Sequence, residues 1–196
     1  TVRTEGKKLT ADLLAHVKSY PVDVLDNRRV ETVENGEMKT VRLAGGETLR
    51  SKALIVATGA QWRELNVPGE KQYIGRGVAF CPHCDGPFYK DRNVVVIGGG
   101  NSGIEAAIDL AGICAHVTVV EFMAELKADK VLVDNLKKLP NTEVVVNHRT
   151  AEILGDGAKV TGIKVVDRAT DEEKTIATDG IFIQIGLAPN SGIVRG

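Results

Sequence analysis

Along the first sixty residues the apolar positions recur at helical spacing and then at strand spacing. Leu13, Leu14 and Val17 share one face of a short predicted helix over Ala11 to Tyr20, with Thr10 as N-cap and Pro21 ending it. Short β-branched runs follow at Val22 to Leu25, Val30 to Val33 and Met38 to Leu43, separated by Asp-Asn, Asn-Gly and Gly-Gly turn signals. They read as an antiparallel excursion. Ala53 to Ala57 (ALIVA) is a continuous apolar run too short for a helix, which predicts a buried strand emptying into Thr58 and Gly59. Gln61 to Phe80, with Pro68, Gly69, Gly75 and Gly77, reads as a linker containing a domain boundary.

Beyond the linker the pattern turns to alternating strands and helices. Asn93 to Ile97 predicts a strand, Asn101 to Gly112 a helix with Ile104, Ile108 and Ala111 inward, and His116 to Glu121 a second strand. Lys127 to Leu139 is a further amphipathic helix leading to a strand over Glu143 to Val146. Ala151 to Ala177 predicts an antiparallel meander with a hairpin signal at Gly155 to Gly157, and Gly180 to Ile185 a last buried strand.

ALIVATG at 53–59 and GIFIQIG at 180–186 are both apolar strands that follow an antiparallel stretch and end in glycine, which suggests two copies of one fold. Only the second copy opens with a glycine loop, so the first reads as truncated at its N-terminus. A start at TVRT without methionine fits either proteolytic removal or a piece of a longer protein, and the missing loop favours a piece. The predicted organisation is a partial first domain over 1–77, a complete second domain over 78–190, and a return toward the first over 191–196. The fold class is α/β, a Rossmann-like three-layer domain with an antiparallel β-meander plus part of a second domain of the same fold.

Composition narrows the partners without naming them. Hydrophobic residues make up 43% and charged residues 26%, as in a globular protein, and a net charge of −1 removes any electrostatic case for nucleic acid or anionic membrane. No apolar run approaches a bilayer span and no signal peptide opens the chain, so a cytoplasmic setting is expected. Three cysteines are too few for a secreted disulfide framework.

Gly98-Gly99-Gly100-Asn101-Ser102-Gly103 satisfies G-x-G-x-x-G directly after a predicted strand and at the opening of a predicted helix. Gly98 allows the tight turn, Gly100 lets backbone approach a pyrophosphate, Gly103 allows close helix packing, and the helix start offers free N–H groups. Glu105 in that first turn and Ile185 and Gly186 after the last strand join the loop as expected nucleotide contacts. Glu121, closing HVTVVE, stands where an acid holds the adenosine ribose hydroxyls. A carboxylate repels a 2′-phosphate, and Phe122 and Met123 offer no guanidinium, which predicts NADH over NADPH. Lys127 and Lys130 leave room for some NADPH tolerance.

Cys81-Pro-His-Cys84 has the spacing of a reactive disulfide. Zinc is the first competing reading, although no second CxxC supplies the remaining ligands and Cys114 lies at the far end of a predicted helix. Two unlinked core cysteines are the second. Asp85 offers an acid–base group for thiol exchange, given partial burial. His83 reads equally as a thiolate partner or an exposed residue. Cys114 reads as a small core residue, His16, His116 and His148 as structural or surface residues, and Lys137 with Lys138 as a solvated helix face.

With these residues in view, the chain resembles the low-molecular-weight thioredoxin reductase family, and within it the flavoprotein subunits of bacterial alkyl hydroperoxide reductases. CPHCDGP at 81–87, VVVIGGGNSGIEAAIDLAG at 94–112, VATGA at 56–60, VPGE at 67–70 and QIGLAPN at 184–190 carry the likeness. Glu121-Phe122 replaces the basic His-Arg-Arg usual in thioredoxin reductases. The resemblance implies a relay from NADH through FAD to the Cys81–Cys84 disulfide, then to a thioredoxin-like domain that regenerates a peroxiredoxin, in a homodimeric parent. It implies that Cys84 faces the flavin, Cys81 attacks the partner disulfide and Asp85 moves the proton. The same resemblance puts Thr58, Gly59 and Ala60 at the edge of an FAD site whose other parts are missing from this chain, so weak NADH binding and little or no FAD binding are expected. A thioredoxin reductase, differing in partner and coenzyme, is the nearest alternative, and a non-catalytic NAD-binding redox-sensing module is the alternative from another class.

Overall fold

The computed structural model describes residues 5–194. The chain forms two compact units, one built from the segment up to Gly59 with the segment from Asn190 onward, the other from Ala60–Pro189. The end of the 191–196 return and the first four residues lie outside the described residues.

In the first unit, α1 (Gly6–Lys18) precedes the antiparallel strands β1 (Val30–Glu34), β2 (Lys39–Leu43) and β3 (Thr48–Ser51). Thr10 is not the N-cap. Its hydroxyl donates to the carbonyl of Gly6 inside the helix at 3.0 Å, and extended Glu5 precedes the first turn. The predicted strand at 22–25 is irregular, whereas Thr48–Ser51, unpredicted because it lacks apolar alternation, pairs with β2. ALIVA does not form a buried strand: Ile55 is 91% exposed, and no neighbour hydrogen-bonds to this run as a strand among the described residues. An apolar run of this kind is buried only where flanking strands complete its ladder and helices cover its faces.

The second unit runs β4 (Ala60–Trp62), α2 (Glu70–Tyr73), β5 (Val78–Ala79), α3 (Pro82–Asp85), a 3₁₀ turn (Gly86–Tyr89), β6 (Asn93–Ile97), α4 (Asn101–Ala111), β7 (His116–Val120) and α5 (Lys130–Leu136). It continues with β8 (Thr142–Val145), β9 (His148–Gly155), β10 (Val160–Asp167), β11 (Glu173–Ala177), β12 (Gly180–Ile183) and β13 (Leu187–Pro189). Strands β5, β12, β6, β7 and β8 form one parallel sheet in that order. The sheet is buried on both faces, which explains why β6 reads as an unbroken apolar run. Val94 and Val96 pack with Ile104, Ala107 and Leu110 of α4, while Val95 and Ile97 pack with Ile153, Ile163 and Val165 of the β9–β11 meander. Side-chain alternation along one strand thus glues three layers together.

The expected linker belongs to this unit, which moves the division from 77/78 to 59/60. Glu70, fully buried, accepts the N–H groups of Leu65 at 2.8 Å and Asn66 at 2.7 Å. Gly69, at φ 84°, lies so close to β9 that a Cβ would overlap the carbonyl of Ile153. A buried carboxylate pairing with backbone leaves no periodic trace in the sequence, and the segment therefore reads as loop.

Candidate nucleotide and disulfide site

Parallel strands point their C-terminal ends the same way, and in open α/β sheets that edge is where ligands bind. Gly98 follows β6 there, Glu121 follows β7, Gln184 follows β12, and Cys81 lies two residues past β5. Gly98 turns at φ 119°, and a Cβ on it would overlap the carbonyl oxygen of Gln184. A Cβ on Gly103 would overlap the carbonyl oxygen of Gly98, so α4 starts closer to the strand than any other residue permits. Gly100 is the contrasting case, with open space where its Cβ would stand. The loop is also tied from outside: Gly99 O accepts the N–H groups of Lys127 and Ala128, and Asn101 exchanges hydrogen bonds with Asp129 at 2.8 and 3.0 Å.

Glu121, 9% exposed, accepts Gly99 N–H on one carboxylate oxygen and Met123 N–H at 2.7 Å on the other. Two of its roughly four lone-pair sites are thereby used, leaving acceptor capacity for a sugar hydroxyl. Loop and acid share a cavity of about 670 Å³ lined by Gly98 to Ser102, Glu121, Ile185 and Gly186. Its volume lies within the range of small-molecule and cofactor clefts, and open space stands beside Gly100.

The same cavity holds residues that the motif does not announce. Phe122, His148, Arg149, Thr150 and Gln184 line it. The hydroxyl of Thr150 is buried without a protein partner. Arg168 stacks 3.8 Å from the centre of the Phe122 ring and donates to Phe122 O at 2.9 Å. Glu121 O accepts from His148 N, and Met123 O from Asn147 N, so the meander braces the acid-bearing turn from behind. Of the expected nucleotide contacts, Gly103 is buried in packing and Glu105 lines a separate cavity of about 220 Å³ with Cys81, His83 and Asp109.

Cys81 and Cys84 form a disulfide with Cα atoms 5.2 Å apart. This removes the readings as zinc ligands or unlinked core thiols. Cys81 caps α3, its sulfur accepting the N–H of Cys84 at 3.2 Å. Cys81 and half-buried Asp85 line a cavity of about 530 Å³ with Trp62, Phe80, Phe88 and Tyr89. Burial, then the Asp85 and Asp179 carboxylates, push the Tyr89 phenol up and keep it protonated. Exposed His83 lies 3.7 Å from Asp109. Cys114 is buried and free, as expected of a core residue, and burial first and Asp91 second raise its thiol to about 11.

The expected flavin-edge residues are occupied with the chain itself. Thr58 donates its hydroxyl to Asn190 O at 2.6 Å, Asn190 donates to Thr58 O and Gly59 O, and Ala60 pairs with Pro189. Among the described residues no helix is long and apolar enough to cross a membrane.

Two glycine overlaps, a buried acid and a neighbouring disulfide on one sheet edge join nucleotide and disulfide chemistry, and the model of the pyridine nucleotide-disulphide oxidoreductase family matches residues 2–195. The chain belongs to this family. Membership implies FAD and a pyridine nucleotide as cofactors. The chain is 55% identical over 196 residues to the F subunit of alkyl hydroperoxide reductase from Pseudomonas putida, covering 98% of this chain and 38% of the relative. It is 54% identical over 193 residues to a Bacillus subtilis protein named NADH dehydrogenase, again covering 98% and 38%. A crystal structure of T. acidophilum thioredoxin reductase matches with a TM-score of 0.76 at 36% identity, over 97% of this chain and 62% of that one. The chain thus spans about 38% of the length of the curated relatives it matches.

Proposed function

We propose that this chain carries the NADH site and the redox disulfide of a flavin-dependent disulfide reductase that regenerates a peroxiredoxin through a thioredoxin-like domain. The observation that carries this reading is the common sheet edge. Cys81 and Gly98 follow β5 and β6, which only β12 separates, so their strands lie roughly 10 Å apart. Glu121 supports NADH over NADPH, since its buried carboxylate accepts ribose hydroxyls and repels a 2′-phosphate. The name of the Bacillus subtilis relative agrees with that preference, and the likeness to alkyl hydroperoxide reductases supports a role in peroxide detoxification.

The electron pair for the disulfide would come from the nucleotide by way of FAD, were both bound. Reducing the Cys81–Cys84 disulfide takes two electrons and two protons. Asp85, beside Cys81 in the aromatic cavity, is positioned to move one of those protons, and Cys81 attacks the partner disulfide, leaving a mixed disulfide that Cys84 resolves. Two measurements test the reading. Calorimetric titration should show NADH binding more tightly than NADPH, and the phosphine-reduced protein should reduce an added thioredoxin disulfide, a transfer lost in Cys81→Ser. Tighter binding of NADPH would overturn the coenzyme assignment, and transfer surviving Cys81→Ser would overturn the redox role.

A further inference from the structure

Gln184 is the first residue past β12, where that strand runs between the disulfide-bearing segment and the glycine loop. Backbone pairing of β12 stops at Phe182–Ala79 on one side and at Ile183–Ile97 on the other. Gln184 N–H donates to Ile97 O at 2.8 Å, which commits its backbone donor to the glycine-loop side. Its side chain then donates from Nε2 to Phe80 O at 2.8 Å on the disulfide side. The amide side chain therefore stands in for one missing rung of the ladder.

That rung matters because β5 is only two residues long, so one added hydrogen bond is a large part of what holds the segment leading into Cys81. The carbonyl of the same Gln184 faces Gly98, where only the lack of a Cβ leaves room for it. Gln184 is 7% exposed and borders both the nucleotide cavity and the smaller cavity beside Cys81. No other residue lines both of those cavities except Ser102, which makes no side-chain hydrogen bond toward Phe80 or Cys81 among the described residues.

We propose that Gln184 is a positioning residue that makes the placement of Cys81 depend on whether a nucleotide occupies the Gly98 loop. The inference rests on the nucleotide reading above. A pyrophosphate that draws in the N–H groups after Gly98 moves a loop packed against Gln184, and the amide passes the displacement to Phe80 and its neighbour Cys81. Coupling of this kind is reciprocal, so the state of the cysteine pair alters nucleotide affinity by the same factor.

The test uses the phosphine-reduced protein and NAD+, which cannot donate hydride. Iodoacetamide alkylation of Cys81 is followed by peptide mass spectrometry, which separates it from Cys84 and buried Cys114. Saturating NAD+ should change the Cys81 rate about fivefold, the equilibrium equivalent of one hydrogen bond. Gln184→Met, which keeps length and loses the donor, and Gln184→Glu, which keeps shape and accepts only, should abolish that dependence at NAD+ concentrations that titration shows to saturate each variant. A merely structural role would lower stability without separating these two readouts. NAD+ binding with an unchanged Cys81 rate in the unsubstituted protein overturns the inference alone, and needs no variant to fold. Full dependence retained in Gln184→Met also overturns it. Absence of NAD+ binding overturns the nucleotide reading and this inference with it.

Discussion

Replacing Glu121 by glutamine separates the backbone pairing that its carboxylate makes from the ribose contact proposed for it. One oxygen accepts Gly99 N–H and the other Met123 N–H in a setting 9% exposed. An amide has one acceptor oxygen, so one of these backbone donors is left facing an NH2 group. Leaving a buried donor unmet costs about 1–3 kcal/mol. For a chain of this size each kcal/mol moves the melting temperature by about 2–4 °C, so Glu121→Gln should melt several degrees lower. The nucleotide loses a charge-assisted contact to its ribose hydroxyl worth about 1.5–3 kcal/mol, which is an affinity loss of about 10- to 150-fold for NADH. NADPH should not weaken in parallel, because repulsion of the 2′-phosphate falls with the removed charge. Isothermal titration with both nucleotides, alongside calorimetric melting, measures each quantity. NADH affinity held within about twofold while the melting temperature drops would show that Glu121 serves the loop alone, and the ribose assignment would fail.

Gly103→Ala places a methyl group against Gly98 O, and the resulting shift of the α4 start should weaken NADH binding at least tenfold in the same titration, at a stability cost of about 1–3 kcal/mol. Leu110→Ala empties a fully buried position between α4 and the sheet and should lower stability by about 2–5 kcal/mol in urea unfolding, with the Cys81–Cys84 disulfide still formed. Glu70→Gln should loosen the 64–70 segment through one unmet backbone donor, visible as faster amide exchange at Leu65 or Asn66. The Cys114 thiol is raised from 9.0 to about 11, so the folded state holds its proton where the unfolded chain releases it. The stability this contributes is complete below pH 9.0 and lost as pH rises toward about 11, and Cys114→Ala should flatten that part of the urea midpoint against pH curve.

Much of the second unit is legible because its signals are local. Val94 to Ile97, the glycine loop and the helix opening at Asn101 lie close together in the chain, and each reports on its own backbone through spacing alone, although Ile108 and Ala111, expected inward with Ile104, are only partly buried while Ala107 and Leu110 fill the core. Cys81 and Cys84 are readable for the same reason: a separation of 3 lets a single helical turn, α3, bring them together. Boundaries fare worse, as at Thr10, where a hydroxyl able to cap instead bonds back to Gly6 inside the helix.

The nucleotide loop, its acid and the disulfide motif are therefore written in contiguous residues, since glycine conformation and short spacings are local properties of the chain. What surrounds them comes from the fold. Gln184 meets Phe80 across 104 residues, Arg168 meets Phe122 across 46, and Glu70 is a fully buried strut within a segment that reads as linker. Strand order, not spacing, creates these meetings. ALIVA shows the converse, because an apolar run becomes a buried strand only when other strands lie beside it, and Ile55 stands in solvent among the described residues.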